Sequence, residues 1–422
     1  MLFMHWQSIG AGSYMLQEKK IRQFHPGGLA ILFLWFACIF DPVGMLFNIK
    51  FVAIIIVYIV IFFKLIKKGG RLDLTKDYIW FFIFFAIVLP VFGVTVSVFH
   101  GVSESGGDTS YISSAVYVGC SLLYLFPGYL GAACQSLSIS LRALALSIWL
   151  TLLAIITGHH EALTEFYFNH GMAYIGERTY SAVGFYYIYF VASPMLIYLV
   201  CKDTWELISS FSVKRLLILF MTAGALFLSG TRANMVLAVV APFFVMTWFR
   251  YGRATLIFVP VMAGVLILTM IVFNIPIVSD MFGPGEQSNS TKIAYLQSYY
   301  KIFNDPLILL IGQGFNAKEW SGVVAAMLPE GANKTELSYL EMLRVFGFFG
   351  LFFLLLLLKR LSVNGAIART GYPWIAPGLI LYAMVSAINP YIFSSNGMLL
   401  LGFSAAVLSA EKSTASDRQQ SV

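Results

Sequence analysis

An all-α polytopic membrane protein with about twelve transmembrane helices is the fold class this sequence predicts, and three observations predict it. Hydrophobic residues make up 59% of the 422 positions and charged ones only 11%, a balance that no water-soluble surface of this size accommodates. Apolar runs long enough for the hydrocarbon core recur along the chain. Lys and Arg gather in alternate connections between those runs, which is how membrane topology is written.

The runs start near Gly28, Ile49, Tyr78, Tyr111, Leu141, Ala182, Val213, Ala233, Thr255, Tyr339, Trp374 and Ser395. Lys19, Lys20 and Arg22, then Lys64 to Lys76, Arg142, Lys202 to Arg215, Arg250 and Arg253, Lys359 to Arg369, and Lys412 and Arg418 all fall on one side, which is therefore the cytoplasm. Opposite them, His100 to Ser110 has no Lys or Arg and His159 to Ser181 has only Arg178. Both termini are expected inside. The chain thus divides into an N-terminal segment (1–27), transmembrane helices one to nine (28–275), a long outer loop carrying short helices (276–338), helices ten to twelve (339–410) and a polar tail (411–422).

The net charge of +7 is spread through these connections instead of forming one basic face, so nucleic acid is not an expected partner; membrane lipid is. Cys38, Cys120, Cys134 and Cys201 lie in or beside apolar stretches without the paired spacing of a zinc site or disulfide framework, and are expected to be buried, quiet thiols. The N-terminus lacks a small-residue cleavage site, so the first span is expected to direct insertion. No internal repeat is visible, which argues against the two-fold repeats common in transporters.

Candidate chemistry collects on the outer side. Spans seven and eight meet at Ser229-Gly230-Thr231-Arg232-Ala233, a turn tight enough to hold Arg232 at the membrane boundary, where it cannot serve as a topology signal. Arginine deep in lipid costs roughly 2.5 to 3.5 kcal/mol, so one at this position either snorkels to headgroups or faces an anion, which its planar fork suits. Arg178, beside the aromatic run Phe185 to Phe190, is a second outer cation. In the long loop, Ser290 is expected to cap a helix from Thr291 to Phe303 with Ile293, Leu296, Tyr300 and Phe303 on one face, lying along the membrane surface.

After that helix, the turn Gly312-Gln313-Gly314-Phe315-Asn316 offers backbone amides that could approach a ligand. The loop ends in Asn333-Lys334-Thr335-Glu336-Leu337-Ser338-Tyr339, where two readings of Glu336 stand together. It completes a capping box with Asn333, or it is a carboxylate beside Tyr339 that partial desolvation tunes toward a general base. His159-His160-Glu161, Glu165 and His170 match no standard metal spacing and read as a solvated loop; no metal is expected. Trp320, Tyr295 and Tyr299 are aromatic candidates for glycan contact.

The order of these motifs resembles the bacterial O-antigen polymerase and ligase superfamily, over roughly Arg178 to Met398. The resemblance rests on Ser-Gly-Thr-Arg-Ala between two spans, Gly-Gln-Gly-Phe-Asn in one large outer loop, and Glu-Leu-Ser-Tyr-Leu-Glu-Met-Leu-Arg-Val-Phe-Gly-Phe-Phe-Gly leading into the next span. Asn389-Pro390-Tyr391-Ile392-Phe393-Ser394-Ser395-Asn396-Gly397 is also polymerase-like. Ligases of the superfamily carry a histidine where this chain has Glu336-Leu337, so the Wzy-type polymerase is the closer likeness.

The resemblance implies a glycosyltransferase of GT-C-like architecture in the bacterial inner membrane, facing the periplasm. It would use undecaprenyl-diphosphate-linked glycans as donor and acceptor, without a cofactor, alongside a chain-length regulator. Glu336 and Arg232 are its expected catalytic residues, Arg232 and Arg178 its diphosphate ligands, and Gly312, Gly314, Asn316 and Tyr339 its glycan-contacting positions. A ligase acting on lipid A core or protein, and a non-enzymatic flippase of lipid-linked oligosaccharide, are the alternatives. A flippase would want charges lining the spans, which the sequence shows few of.

Overall fold

The structure, a computed structural model, describes residues 26–67, 71–100, 109–180, 183–256, 264, 287–315, 335–368 and 371–420. The chain is mostly helical, and five of its helices are long and apolar enough to cross a membrane. They are α2 (Ile49–Ile66), α3 (Lys76–Phe99), α5 (Tyr129–Ile156), α9 (Arg232–Tyr251) and the first part of α12 (Ser338–Ala368). Shorter apolar helices stand among them: α1 (Pro26–Phe40), α4 (Thr109–Cys120, extended by a 3-10 turn to Leu125), α13 (Ile375–Val385) and the apolar part, Ser395–Ala410, of α14 (Ser395–Gln420). At 1.5 Å per residue, the fifteen residues of α1 reach about 22 Å, short of the ~30 Å hydrocarbon core. Of the about twelve expected crossings, the described residues show five helices of sufficient length and apolarity. The predicted ninth span, beginning at Thr255, lies almost wholly outside them.

Local sequence explains the irregularities. Pro90 has no N–H to give the preceding turn, and α3 answers with a π-helical turn over Phe84–Val88 immediately upstream. Thr75, Ser212 and Thr231 each cap a helix by accepting from the amide three residues on. The four cysteines are free and buried.

The expected sixth span does not start at Ala182. Residues Ala173–Tyr180 and Val183–Phe190 form an antiparallel hairpin, β1 and β2, in which Gly176 faces Tyr187 and Arg178 faces Phe185. An unbroken apolar run of Tyr, Phe and Ile cannot be assigned to helix or strand by hydropathy alone; aromatic and β-branched crowding favours the pleated chain. Helix resumes only after Ser193-Pro194, as α7 (Leu196–Ser209), followed by α8 (Val213–Leu228). The expected solvated loop at His159 is likewise a short helix, α6 (Glu161–Asn169).

α7 packs against α8, α9 and α13, while α1 rests on α5 and α2, and α14 on α12 and α4. Arg142, predicted in a cytoplasmic connection, is instead midway along α5 and pairs with Asp203 of α7 at 2.6 Å. The Thr222 hydroxyl of α8 donates to the same carboxylate at 2.7 Å, so three helices share one buried acid. A charge inside the bundle keeps itself paired and hydrogen-bonded, which removes it from the topology count.

Candidate functional site

The Ser229 to Arg232 turn is formed by its glycine. Gly230 has φ +71°, and a side chain there would collide with the Cβ of Tyr187, so β2 lies directly on the turn. Arg178 on β1 fixes the contact: its Nη1 donates to the Gly230 carbonyl at 2.7 Å, and its guanidinium lies 5.0 Å from the Tyr187 ring centre. The two cations singled out in the sequence thus meet at one turn.

The loop helix reaches this corner. It begins at Gln287, earlier than the expected Thr291, and runs to Ile302 as α10, with Ser290 inside it and not at its cap. Arg232 Nη1 donates to Asn289 Oδ1 at 2.5 Å. Three residues on, Lys292 Nζ is 3.9 Å from Glu336 Oε2. Positions three apart are neighbours on one helical face, so α10 holds Arg232 and Glu336 at adjacent points of a single surface.

Glu336 itself precedes the first helical residue of α12, Ser338, so it cannot occupy the third position of a capping box; Asn333 is outside the described residues. Its side chain is 54% exposed. Its carboxylate acts on two phenols. Burial is the main cause that raises Tyr189 above its ordinary pKa, and Glu336 raises it further; Tyr295 follows the same order. The hydroxyl of Tyr391 bonds those of Tyr189 and Thr231, joining the late Asn389 to Gly397 stretch to the corner, and burial holds its pKa well above normal.

Other expected residues have structural duties. Gly312 and Gly314 belong to a turn that follows α11 (Pro306–Ile311) and packs into a break in α12 at Gly347, where φ is +65°. That break releases two carbonyls, and the turn takes both: Gln313 N donates to Arg344 O at 2.6 Å and Gly314 N to Val345 O at 3.0 Å. Phe315 N goes to Ser97 Oγ and Gly312 N to Ile308 O. The amides expected to meet a ligand meet this chain's own acceptors. Tyr339 is turned to α13, donating to Ala383 O at 2.7 Å. Asn316 and Trp320 are outside the described residues.

Beneath Glu336 is an ion pair that sequence reading passed over. Arg344 and Glu341, whose side chains are 1% and 2% exposed, bond through Arg344 Nη2 to Glu341 Oε1 at 2.5 Å. Tyr299 of α10 donates to Glu341 Oε2 at 2.6 Å and also bonds Thr335 Oγ1. Tyr295, Tyr299 and Ile302 pack on Leu337; of the expected apolar stripe, Ile293, Leu296 and Tyr300 are exposed, while Phe303 stacks on Tyr299 beside this cluster. The i, i+4, i+7 spacing of the buried three was the available signal, masked by an equally apolar stripe beside it. Asn289 and Lys292 carried no such mark.

Comparison of the chain with models of protein families gives no match, and comparison with curated proteins gives none.

Proposed function

We propose that this membrane protein is a glycosyltransferase that polymerises polyprenyl-diphosphate-linked oligosaccharide repeat units on the periplasmic face of a bacterial inner membrane. The observation that supports this most is the single α10 face that carries both the Arg232 and the Glu336 partners. A hydroxyl of the acceptor sugar attacks the anomeric carbon of the donor glycan. The bond from that carbon to the diphosphate oxygen breaks, the diphosphate keeps the electron pair, and the hydroxyl proton passes to Glu336. Arg232, with Arg178 behind it, offsets the charge gathering on the leaving group. A guanidinium fork serves a diphosphate at two oxygens, which an ammonium cannot.

A second reading, a flippase of lipid-linked oligosaccharide, is favoured by one observation: the Arg142 and Asp203 pair inside the bundle. Deletion of the gene separates the readings. Loss of a polymerase leaves surface lipopolysaccharide capped by a single repeat unit. Loss of a flippase strands units inside, and loss of a ligase leaves bare core with accumulated lipid-linked polymer. Single-unit capping, reversed by the wild-type gene, is the expected result; either other pattern overturns polymerisation.

A further inference from the structure

We propose that the cavity between α6 and the β1–β2 hairpin is a binding subsite for a neutral pyranose unit. The cavity measures about 510 Å³, within the usual range for small-molecule sites. Glu161 and Glu165 stand one turn apart on α6, and Phe168, Tyr174 and Tyr187 supply ring faces. Phe168 and Tyr174 are 65% and 46% exposed; they meet each other edge to face, and Tyr174 stacks on Tyr189. At the head of α6, the Nδ1 atom of His160 is buried and has no hydrogen-bond partner among the described residues, although its residue lines the same cavity.

These groups match the two chemistries of a pyranose. Its axial C–H face is apolar and stacks on an aromatic ring, while its rim of hydroxyls donates to carboxylates and either gives or takes a hydrogen bond at an imidazole nitrogen. Two carboxylates close together select for neutral sugars, because a uronate would bring a third negative charge to the same small space. A nucleotide or phosphate is disfavoured on the same ground. The position of the cavity gives it a role. Tyr187 lines it, lies over Gly176, presses its Cβ on Gly230 and carries the Arg178 guanidinium on its ring. A sugar held there is one side chain away from the Arg178 and Arg232 corner. Assigning it to the glycan of a polymerisation substrate rests on the glycosyl-transfer reading; the sugar binding itself does not.

The test is direct binding to the full chain in lipid nanodiscs, by saturation-transfer NMR. The probes are the methyl pyranosides of glucose, galactose, mannose, rhamnose, N-acetylglucosamine and N-acetylgalactosamine, with methyl glucuronide and methyl galacturonide as the charged counterparts. At least one neutral glycoside is expected to bind, to weaken about fivefold in Tyr174→Ala, and to weaken also in Glu165→Gln. Uronides should bind less well than their neutral counterparts and recover in Glu165→Gln. Both variants alter exposed side chains, and their thermal unfolding should match wild type. No signal above empty nanodiscs, binding unchanged in both variants, or a preference for uronides would each overturn the subsite. The outcome is separate from that of the functional reading: a sugar that binds here while deletion of the gene strands units inside, or leaves bare core, instead of single-unit capping would leave the subsite standing and overturn polymerisation.

Discussion

Arg232 opens α9 with its guanidinium on the side-chain oxygen of Asn289, 2.5 Å away in the first turn of α10. This contact ties the tight turn between α8 and α9 to the loop helix that also holds Glu336 through Lys292. An arginine whose purpose is lipid headgroups has no need of such an address. On the transferase reading, Arg232→Lys keeps the charge and loses the two-pronged geometry, so polymer formation should drop tenfold or more, about 1.4 kcal/mol at the least, at unchanged protein level. Wild-type polymer length in that variant, read from surface polysaccharide banding, would remove Arg232 from the mechanism.

Glu336→Gln tests proton transfer separately from folding. The carboxylate is more than half exposed and its ion pair with Lys292 is long, so its removal should leave the amount and thermal stability of the protein unchanged. The loss of the acceptor should cost about 10²- to 10⁴-fold in polymerisation rate. A variant that polymerises at near the wild-type rate in membranes would make Glu336 a surface partner of Lys292 and nothing more.

Why Arg232 and Glu336 could be named from sequence, while what joins them could not, follows from the physics of each. Arg232 contradicts its surroundings: a charge in a tight apolar hairpin has few bland explanations. Asn289 and Lys292 are ordinary polar residues on an exposed helix, and only the fold gives them their partners. The same limit explains the hairpin at Ala173 to Phe190, where hydropathy marks burial without distinguishing strand from helix. It also explains Arg142, whose place on the charge map changed once Asp203 was found across the bundle. Apolar runs were legible; which of two neighbouring stripes on α10 is buried, and the pairings between distant segments, were not.

The Glu341 and Arg344 pair should matter for stability more than any exposed charge at this face. Both are buried, and Tyr299 adds a hydrogen bond to the acid. Glu341→Ala removes the counter-charge of a buried guanidinium, which costs about 3 to 5 kcal/mol, and should lower the melting temperature in detergent and the yield of folded protein. Tyr299→Phe removes one hydroxyl from the same network and should cost roughly 1 to 3 kcal/mol. If Glu341→Ala melts with wild type, the pair is not what fastens α10 to α12.

Gly347 should be intolerant of the smallest side chain. Its backbone, φ +65° and ψ −170°, lies in a region kept essentially for glycine, and a Cβ would run into the carbonyl of Leu310. In an unbroken helix glycine to alanine stabilises by roughly 0.5 to 1 kcal/mol; here the sign reverses. Gly347→Ala should melt well below wild type and free the Gly312 to Phe315 turn, detectable as faster amide exchange at Gln313 and Gly314. An alanine variant as stable as wild type would mean that α12 runs straight through this point.

The last test concerns the acid shared by α5, α7 and α8. Asp203 accepts from Arg142 and Thr222, and its side chain is fully buried, whereas that of Arg142 is 39% exposed. The two halves of the pair are therefore unequal. Removing the arginine leaves a fully buried carboxylate with one hydroxyl for company, while removing the acid leaves an arginine that is already 39% exposed. Arg142→Leu should be the more destabilising single change, Asp203→Leu the milder, and the double variant should be more stable than Arg142→Leu alone. A thermal-stability cycle in detergent gives all three values. Additive losses would show that the pair carries no coupling. Restored stability without surface polysaccharide in the double variant would instead point to a transport role for the bundle interior.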